Sequence, residues 1–241
     1  MRVLVTRPEP DASLTAERLQ ALGYEVLVAP MLETVFSTES LDDVSHADLV
    51  VTSRNGVRAL AKLVSQEVRE TITLYTVGDA TAALASDIGF KHIYSAAGTV
   101  DHLVDLIGPA RTDDNACLIY VCGRDRKGKL EDKLRAKGWQ VNVAVRYHSD
   151  SVEHFSPDIL SAIKSQTIDA VLFYSNRTAE AFKTLIEQHN LSRLANSIKF
   201  FCLAKSIESV FDRYEEIQLI VVEQPNEQSM FDSLAQYKSR G

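Results

Sequence analysis

The chain has 241 residues, 45% of them hydrophobic and 24% charged, with 33 acidic against 26 basic side chains and a formal net charge of -7. That is enough apolar chain for one large core or two modest ones, while the acidic surplus argues against wholesale binding of nucleic acid or an anionic membrane. Cys117, Cys122 and Cys202 are odd in number and form no C-x-x-C pair; they suit reduced thiols in a cytoplasmic protein better than disulfides or a metal site.

In chain order, Val3 to Val5, Leu49 to Val51, Leu74 to Val77, Leu118 to Val121, Ala170 to Phe173, Phe200 to Leu203 and Leu219 to Val222 are short apolar runs that predict buried strands. Between them lie segments with apolar residues three and four apart, which predict helices over Ala12 to Leu22, Gly56 to Val64, Ala80 to Ile88, Lys129 to Lys137, Thr178 to Gln188 and Ser206 to Tyr214. This alternation predicts parallel sheets flanked by helices. Gly23, Gly89 and Gly138 follow helical patterns, where a left-handed C-cap favours glycine. Pro30 to Phe36 and Val145 to Asp150 break the rhythm and are expected to be extended crossovers between domains. Gly108 to Asn115 is expected to be a polar loop. The N-terminal run Arg2 to Thr6 reads as a strand, so no signal peptide is expected, and no apolar run reaches the roughly 20 residues of a membrane span.

The pattern also repeats. Leu19 to Ala29 matches Leu134 to Ala144 at an offset of 115 positions, Val50 to Asn55 matches Leu172 to Arg177, and Val77 to Thr81 matches Leu203 to Ile207, in the same order. A duplicated α/β unit predicts two similar domains with loops at the carboxyl ends of their strands, a setting suited to a ligand cleft between lobes.

Those loops carry the candidate chemistry. Ser53-Arg54-Asn55, Ser175-Asn176-Arg177 and Lys205-Ser206 stand at strand-to-helix turns. Capping explains them on stability grounds; the unpaired amides of a first helical turn also suit a carboxylate or phosphate. Gly123 to Lys129 sets four cations against one carboxylate, where cations oppose a helix dipole and an anion would relieve them. Arg7 occupies the matching strand end in the first copy. Tyr147, in the second crossover, reads either as a buried structural tyrosine or as a phenol able to donate a proton. The six histidines have no ligand spacing, and dinucleotide, P-loop and G-x-S-x-G motifs are absent.

In order, Leu4-Val5-Thr6-Arg7-Pro8, Thr52 to Val57, Val77 to Thr81, Cys122-Gly123-Arg124, Arg146-Tyr147 and Tyr174-Ser175-Asn176 resemble the uroporphyrinogen-III synthase family across nearly the whole chain. One turn departs from it: many members have a glycine and a threonine pair where this chain has Ala204-Lys205-Ser206-Ile207, so Ser206 alone inherits a hydroxyl there. The resemblance implies two similar α/β domains, residues 1–34 with 150–241 and the inserted 35–149, joined by a two-stranded linker around a cleft. It implies cyclisation of hydroxymethylbilane, a linear tetrapyrrole octacarboxylate, to uroporphyrinogen III through a spiro intermediate that inverts ring D, by a monomer with no cofactor. It points to transient contact with hydroxymethylbilane synthase. By the same resemblance Tyr147 assists departure of hydroxide, while Arg7, Ser53, Asn55, Gly123, Arg124, Ser175, Asn176 and Ser206 bind the substrate. The competing readings are a non-catalytic binder or regulator of the same architecture, closing on an anion or a tetrapyrrole, and a receiver-like or flavodoxin-like pair. The receiver reading lacks an acidic cluster around Asp79 or Asp125.

Overall fold

The computed structural model describes residues 1–239 apart from 42, 43, 45, 97, 111–116, 127, 128 and 215. Its elements run β1 (Arg2–Val5), α1 (Asp11–Ala21), β2 (Glu25–Val28), β3 (Leu32–Phe36), β4 (Ala47–Val51), α2 (Arg54–Leu63), α3 (Gln66–Thr71), β5 (Thr73–Thr76), α4 (Asp79–Asp87), β6 (His92–Ser95) and α5 (Val100–Ile107). They continue with β7 (Cys117–Gly123), α6 (Leu130–Ala136), β8 (Gln140–Ser151), α7 (Pro157–Lys164), β9 (Ala170–Phe173), α8 (Asn176–Gln188), α9 (Ser192–Ala195), β10 (Lys199–Cys202), β11 (Gln218–Val221) and α10 (Glu227–Lys238). Gly23, Gly89 and Gly138 take positive φ at the ends of α1, α4 and α6, as their positions predict. The predicted loop over Gly108 to Asn115 falls largely outside the described residues.

Two compact units emerge: Met1–Thr34 with Ser149–Gly241, and Val35–His148. In the first, five strands lie in the order β2-β1-β9-β10-β11 and all the pairs are parallel. In the second, β8-β7-β4-β5-β6 form a parallel sheet with β3 added beyond β8. Numbered from β7, the second sheet has the same 2-1-3-4-5 order as the first, so it is a circular permutation of it. The sequence repeat pairs β2, β9 and the turn after β10 with β8, β4 and the turn after β5, which occupy equivalent places in the two sheets. In this strand order the crevice between the first and third strands is the switch point where ligands bind, past the carboxyl ends. It falls between β1 and β9 in one unit and between β7 and β4 in the other.

Both sheets bury apolar side chains on each face, as helix-covered parallel sheets do. The first unit packs Phe173, Phe182, Phe200 and Phe211 in one connected cluster, with ring centroids of the touching pairs 5.0–5.7 Å apart. Its other face holds Val3, Leu19, Leu172, Phe201 and Met230. The second unit has Leu49, Val51, Leu60, Leu74 and Val121 on one side and Leu103, Leu118, Tyr120, Leu134 and Trp139 on the other.

Two expectations need correction. Lys205–Phe211 is a 3₁₀ helix, not the expected α-helix through Tyr214. Its three-residue period stacks Ile207 under Val210 against the core, and β-branching at both positions weakens the α alternative. The second crossover is also no separate segment, because β8 runs unbroken for 12 residues. It lies antiparallel to the first crossover: Val152 N–H donates to Met31 C=O and Ser37 N–H to Arg146 C=O.

Candidate functional site

In the second unit the switch point is built from the end of β7, the β4–α2 turn and the middle of β8. Ser53 caps α2, its Oγ accepting from Gly56 N–H at 3.2 Å. On its other side Ser53 Oγ lies 2.7 Å from Tyr147 Oη. Asn55, one residue into the same turn, accepts from Arg58 Nη1 at 2.8 Å.

A β-bulge brings Tyr147 there. Cys122 pairs with Val145, but the next residue of β7, Gly123, pairs with Tyr147, so β8 carries Arg146 as an extra residue. Strict alternation from Ala144 would place Arg146 on the face occupied by α2 and send Tyr147 to the opposite one. The extra residue returns Tyr147 to the α2 face, where it packs with the core around Val51, Leu60 and Ala144 and meets Phe36 at 6.3 Å between ring centroids. Bulges commonly re-aim side chains beside functional sites in this way. Gly123 makes room: a Cβ on it would lie 2.6 Å from Tyr147 Cε2 and 3.0 Å from Cζ. Burial pushes the Tyr147 phenol above its ordinary 10.0, partly opposed by the bond to Ser53. The phenol is therefore a proton carrier at neutral pH.

Thr52 and Tyr120 make a second hydroxyl pair, 3.1 Å apart, that sequence reasoning missed; Tyr120 is buried in the core on the other face of the sheet. The basic loop is less free than its composition suggests. Arg126 donates to Glu131 Oε1 at 2.9 Å from Nη2. Burial works against the charge on Glu131, but its own backbone amide and Arg126 outweigh that and hold its carboxyl below the usual range. Arg124 is exposed, with its backbone N–H bonded to Tyr147 C=O. Lys127 lies outside the described residues.

In the first unit Ser175 caps α8, accepting from Thr178 N–H at 3.2 Å. Asn176 and Ser206 bond reciprocally: Asn176 Nδ2 donates to Ser206 C=O at 2.9 Å, and Ser206 Oγ donates to Asn176 Oδ1 at 3.0 Å. Ser206 therefore caps no helix; it ties the turn after β10 to the start of α8. Arg7 is engaged internally. Its guanidinium donates to Glu227 Oε1 at 2.9 Å and to Thr15 Oγ1 at 3.1 Å, pairs with Asp11, and stacks 4.2 Å over the Tyr174 ring. Glu227 also pairs with Arg18. The clue to this clamp was available: Glu227 opens a helix, where a carboxylate is favoured, but its target lies 220 residues away. Replacing Glu227 with Gln removes the charge facing two arginines, so Glu227→Gln should lower the unfolding free energy by about 2 kcal/mol, measured by urea denaturation.

The structure thus gathers Tyr147, Ser53, Asn55, Gly123 and Arg124 at one switch point, and Arg7, Ser175 and Asn176, joined by Ser206, at the other. The class defined by this fold and site is a two-unit, doubly wound α/β protein whose strand-end turns carry amides and hydroxyls, with the Tyr147 phenol set among those of the second unit. The sequence profile of the family described as uroporphyrinogen-III synthase HemD matches residues 13–232, and the chain belongs to that family. A curated relative, the porphyrin biosynthesis protein HemD of Ruminiclostridium josui, is 20% identical over 246 aligned residues, which cover 97% of this chain and 48% of the relative. The chain therefore spans about half the length of that relative. Among solved structures, uroporphyrinogen-III synthetase from Helicobacter pylori 26695 superposes with a TM-score of 0.65 at 17% identity, covering 98% of this chain and all of the other. A mutant uroporphyrinogen III synthase from the extremely thermophilic bacterium Thermus thermophilus gives 0.54 at 16% identity over the whole of both chains. At these identities the two structures establish the fold. Among the described residues no helix is long and apolar enough to cross a membrane.

Proposed function

We propose that this protein cyclises hydroxymethylbilane to uroporphyrinogen III with inversion of ring D. The observation that carries the reading, within a chain of this family, is the half-buried Tyr147 phenol beside a switch-point crevice, held 2.7 Å from Ser53. Tyr147 donates its proton as the carbon–oxygen bond on the ring A side breaks, and water leaves. Ring D attacks the resulting azafulvene cation at its substituted carbon, and the spiro intermediate fragments and recloses with ring D reversed. The proton lost as ring D regains aromaticity restores the phenol, so the net change is loss of one water.

Much of the catalytic work is conformational, because the same substrate closes unaided to the unturned type I isomer. Holding the bent conformer near attack and excluding water is the main requirement. The carboxylates are taken up by amides and polar groups at the strand ends: Ser53, Asn55, Gly123 and Arg124 in one unit, and Ser175, Asn176 and Ser206 in the other. Arg7 serves by shaping the β1 turn, since its guanidinium already faces Glu227 and Asp11. Because Cys117, Cys122 and Cys202 form no disulfide, a reducing cytoplasm is the setting we assign.

The test is to supply freshly generated hydroxymethylbilane to the purified protein, oxidise the products and separate type I from type III uroporphyrin by chromatography. Predominant type III is expected. Type I at the ratio seen without enzyme, from folded protein, would overturn the reading in favour of a non-catalytic binder.

A further inference from the structure

Ser53 has two neighbours and only one proton. Its Oγ accepts from Gly56 N–H at 3.2 Å as the cap of α2, which uses one lone pair and fixes the side chain. Tyr147 Oη lies 2.7 Å away, a distance at which either hydroxyl can donate, and the serine proton is left available for it. Among the other groups facing the phenol, the Gly123 backbone also favours the ionised form, but it is common to every Ser53 variant. Cys122 has its thiol pushed up to about 11 by burial and stays neutral. Tyr120 is committed to Thr52. Phe36 packs against the ring with centroids 6.3 Å apart and has Lys62 4.2 Å from its own ring centroid, and Gly123 lies against the ring edge.

We propose that Ser53 is the positioning residue for Tyr147: its hydroxyl, held by the Gly56 amide, donates to Tyr147 Oη, turns the phenol's own proton outward, and supports the phenolate left when that proton is given to the departing hydroxide. The proposal rests on the cyclisation reading and reassigns Ser53 from carboxylate ligand to partner of the phenol. It also gives the helix cap a second task, since one serine both ends the β4 turn and orients the acid. In the balanced step the Tyr147 O–H bond breaks as the new O–H bond of water forms. The negative charge left on Tyr147 Oη is met by the Ser53 O–H until the ring D proton returns.

Ser53→Gly separates the two tasks, because glycine is well tolerated as a helix cap but has no hydroxyl. We expect kcat about tenfold lower with KM changed less than about twofold, and recovery of most of the loss in Ser53→Thr, which keeps cap and hydroxyl together. In the Tyr147→Phe background the same Ser53→Gly change should have no further effect on kcat. A second measurement needs no substrate. Rapid pH-jump absorbance in the near ultraviolet, taken as wild type minus Tyr147→Phe, isolates one of the eight tyrosines. Its ionisation midpoint should rise in Ser53→Gly. A full tenfold loss from Ser53→Gly on the Tyr147→Phe background, or an unmoved midpoint, overturns the proposal. If wild type makes no type III product but the midpoint shifts, the functional reading falls while the hydrogen bond stands.

Discussion

Gly123→Ala should lower kcat about 100-fold while the protein stays folded. The new methyl would sit 2.6 Å from Tyr147 Cε2, far inside carbon–carbon contact, and β7 cannot retreat because its register with β4 and β8 is set by five or more consecutive residue pairs on each side. The ring must swing, and the movement breaks the 2.7 Å bond to Ser53. A displaced acid loses the general-acid contribution, whose lower range is about 10², equivalent to roughly 2.7 kcal/mol of transition-state stabilisation. Fold need not suffer comparably, because Gly123 ends its strand and the bulge beside it already interrupts the ladder. The check is steady-state turnover with the isomer ratio, alongside a urea melt. Undiminished type III production would show that Tyr147 is not placed by this contact.

Tyr147→Phe should give a loss of similar size, about 10² in kcat, with residual type III product. The phenyl ring keeps the packing against Phe36 and Gly123, so substrate folding persists while hydroxide departs without an acid. Spontaneous closure then competes, and the fraction of type I rises. The two losses should not add: Gly123→Ala on top of Tyr147→Phe has no hydroxyl left to misplace. The pH profile carries a sign. Burial raises the phenol above 10.0, so the acid form is complete at neutral pH and activity has no tyrosine-dependent decline until pH rises through that elevated value. The same shift favours the folded state below the unfolded pKa of about 10, and that contribution fades as pH rises from there through the folded value. Acidification leaves it untouched.

The elements and the site separate in how far local pattern could reveal them. Short apolar runs between helical stretches point to buried parallel strands because burial on both faces removes the alternation of a one-sided sheet. The caps Ser53 and Ser175 are local devices, bonded three residues ahead, and so are visible to the eye in sequence. The bond between Ser53 and Tyr147 spans 94 residues, and the clamp of Glu227 on Arg7 spans 220. Neither leaves a periodic trace. The basic stretch after β7 reads as a free anion site by composition, yet Arg126 is held by Glu131.

Chain order alone establishes that an α/β pattern occurs twice, that strand-end turns are where its polar groups gather, and that Tyr147 is a phenol in an extended segment. Those features depend on propensity and periodicity, which act over a few residues. Which half-repeat joins which sheet, and which face Tyr147 meets, are settled by pairing between distant strands. A single extra residue at Arg146 reverses the outcome for every side chain beyond it, because the strand period is two. The same physics leaves Arg7 inside a carboxylate cluster and Tyr147 beside Ser53: long-range packing chooses each side chain's neighbours, and those neighbours decide whether it holds the fold or carries a proton.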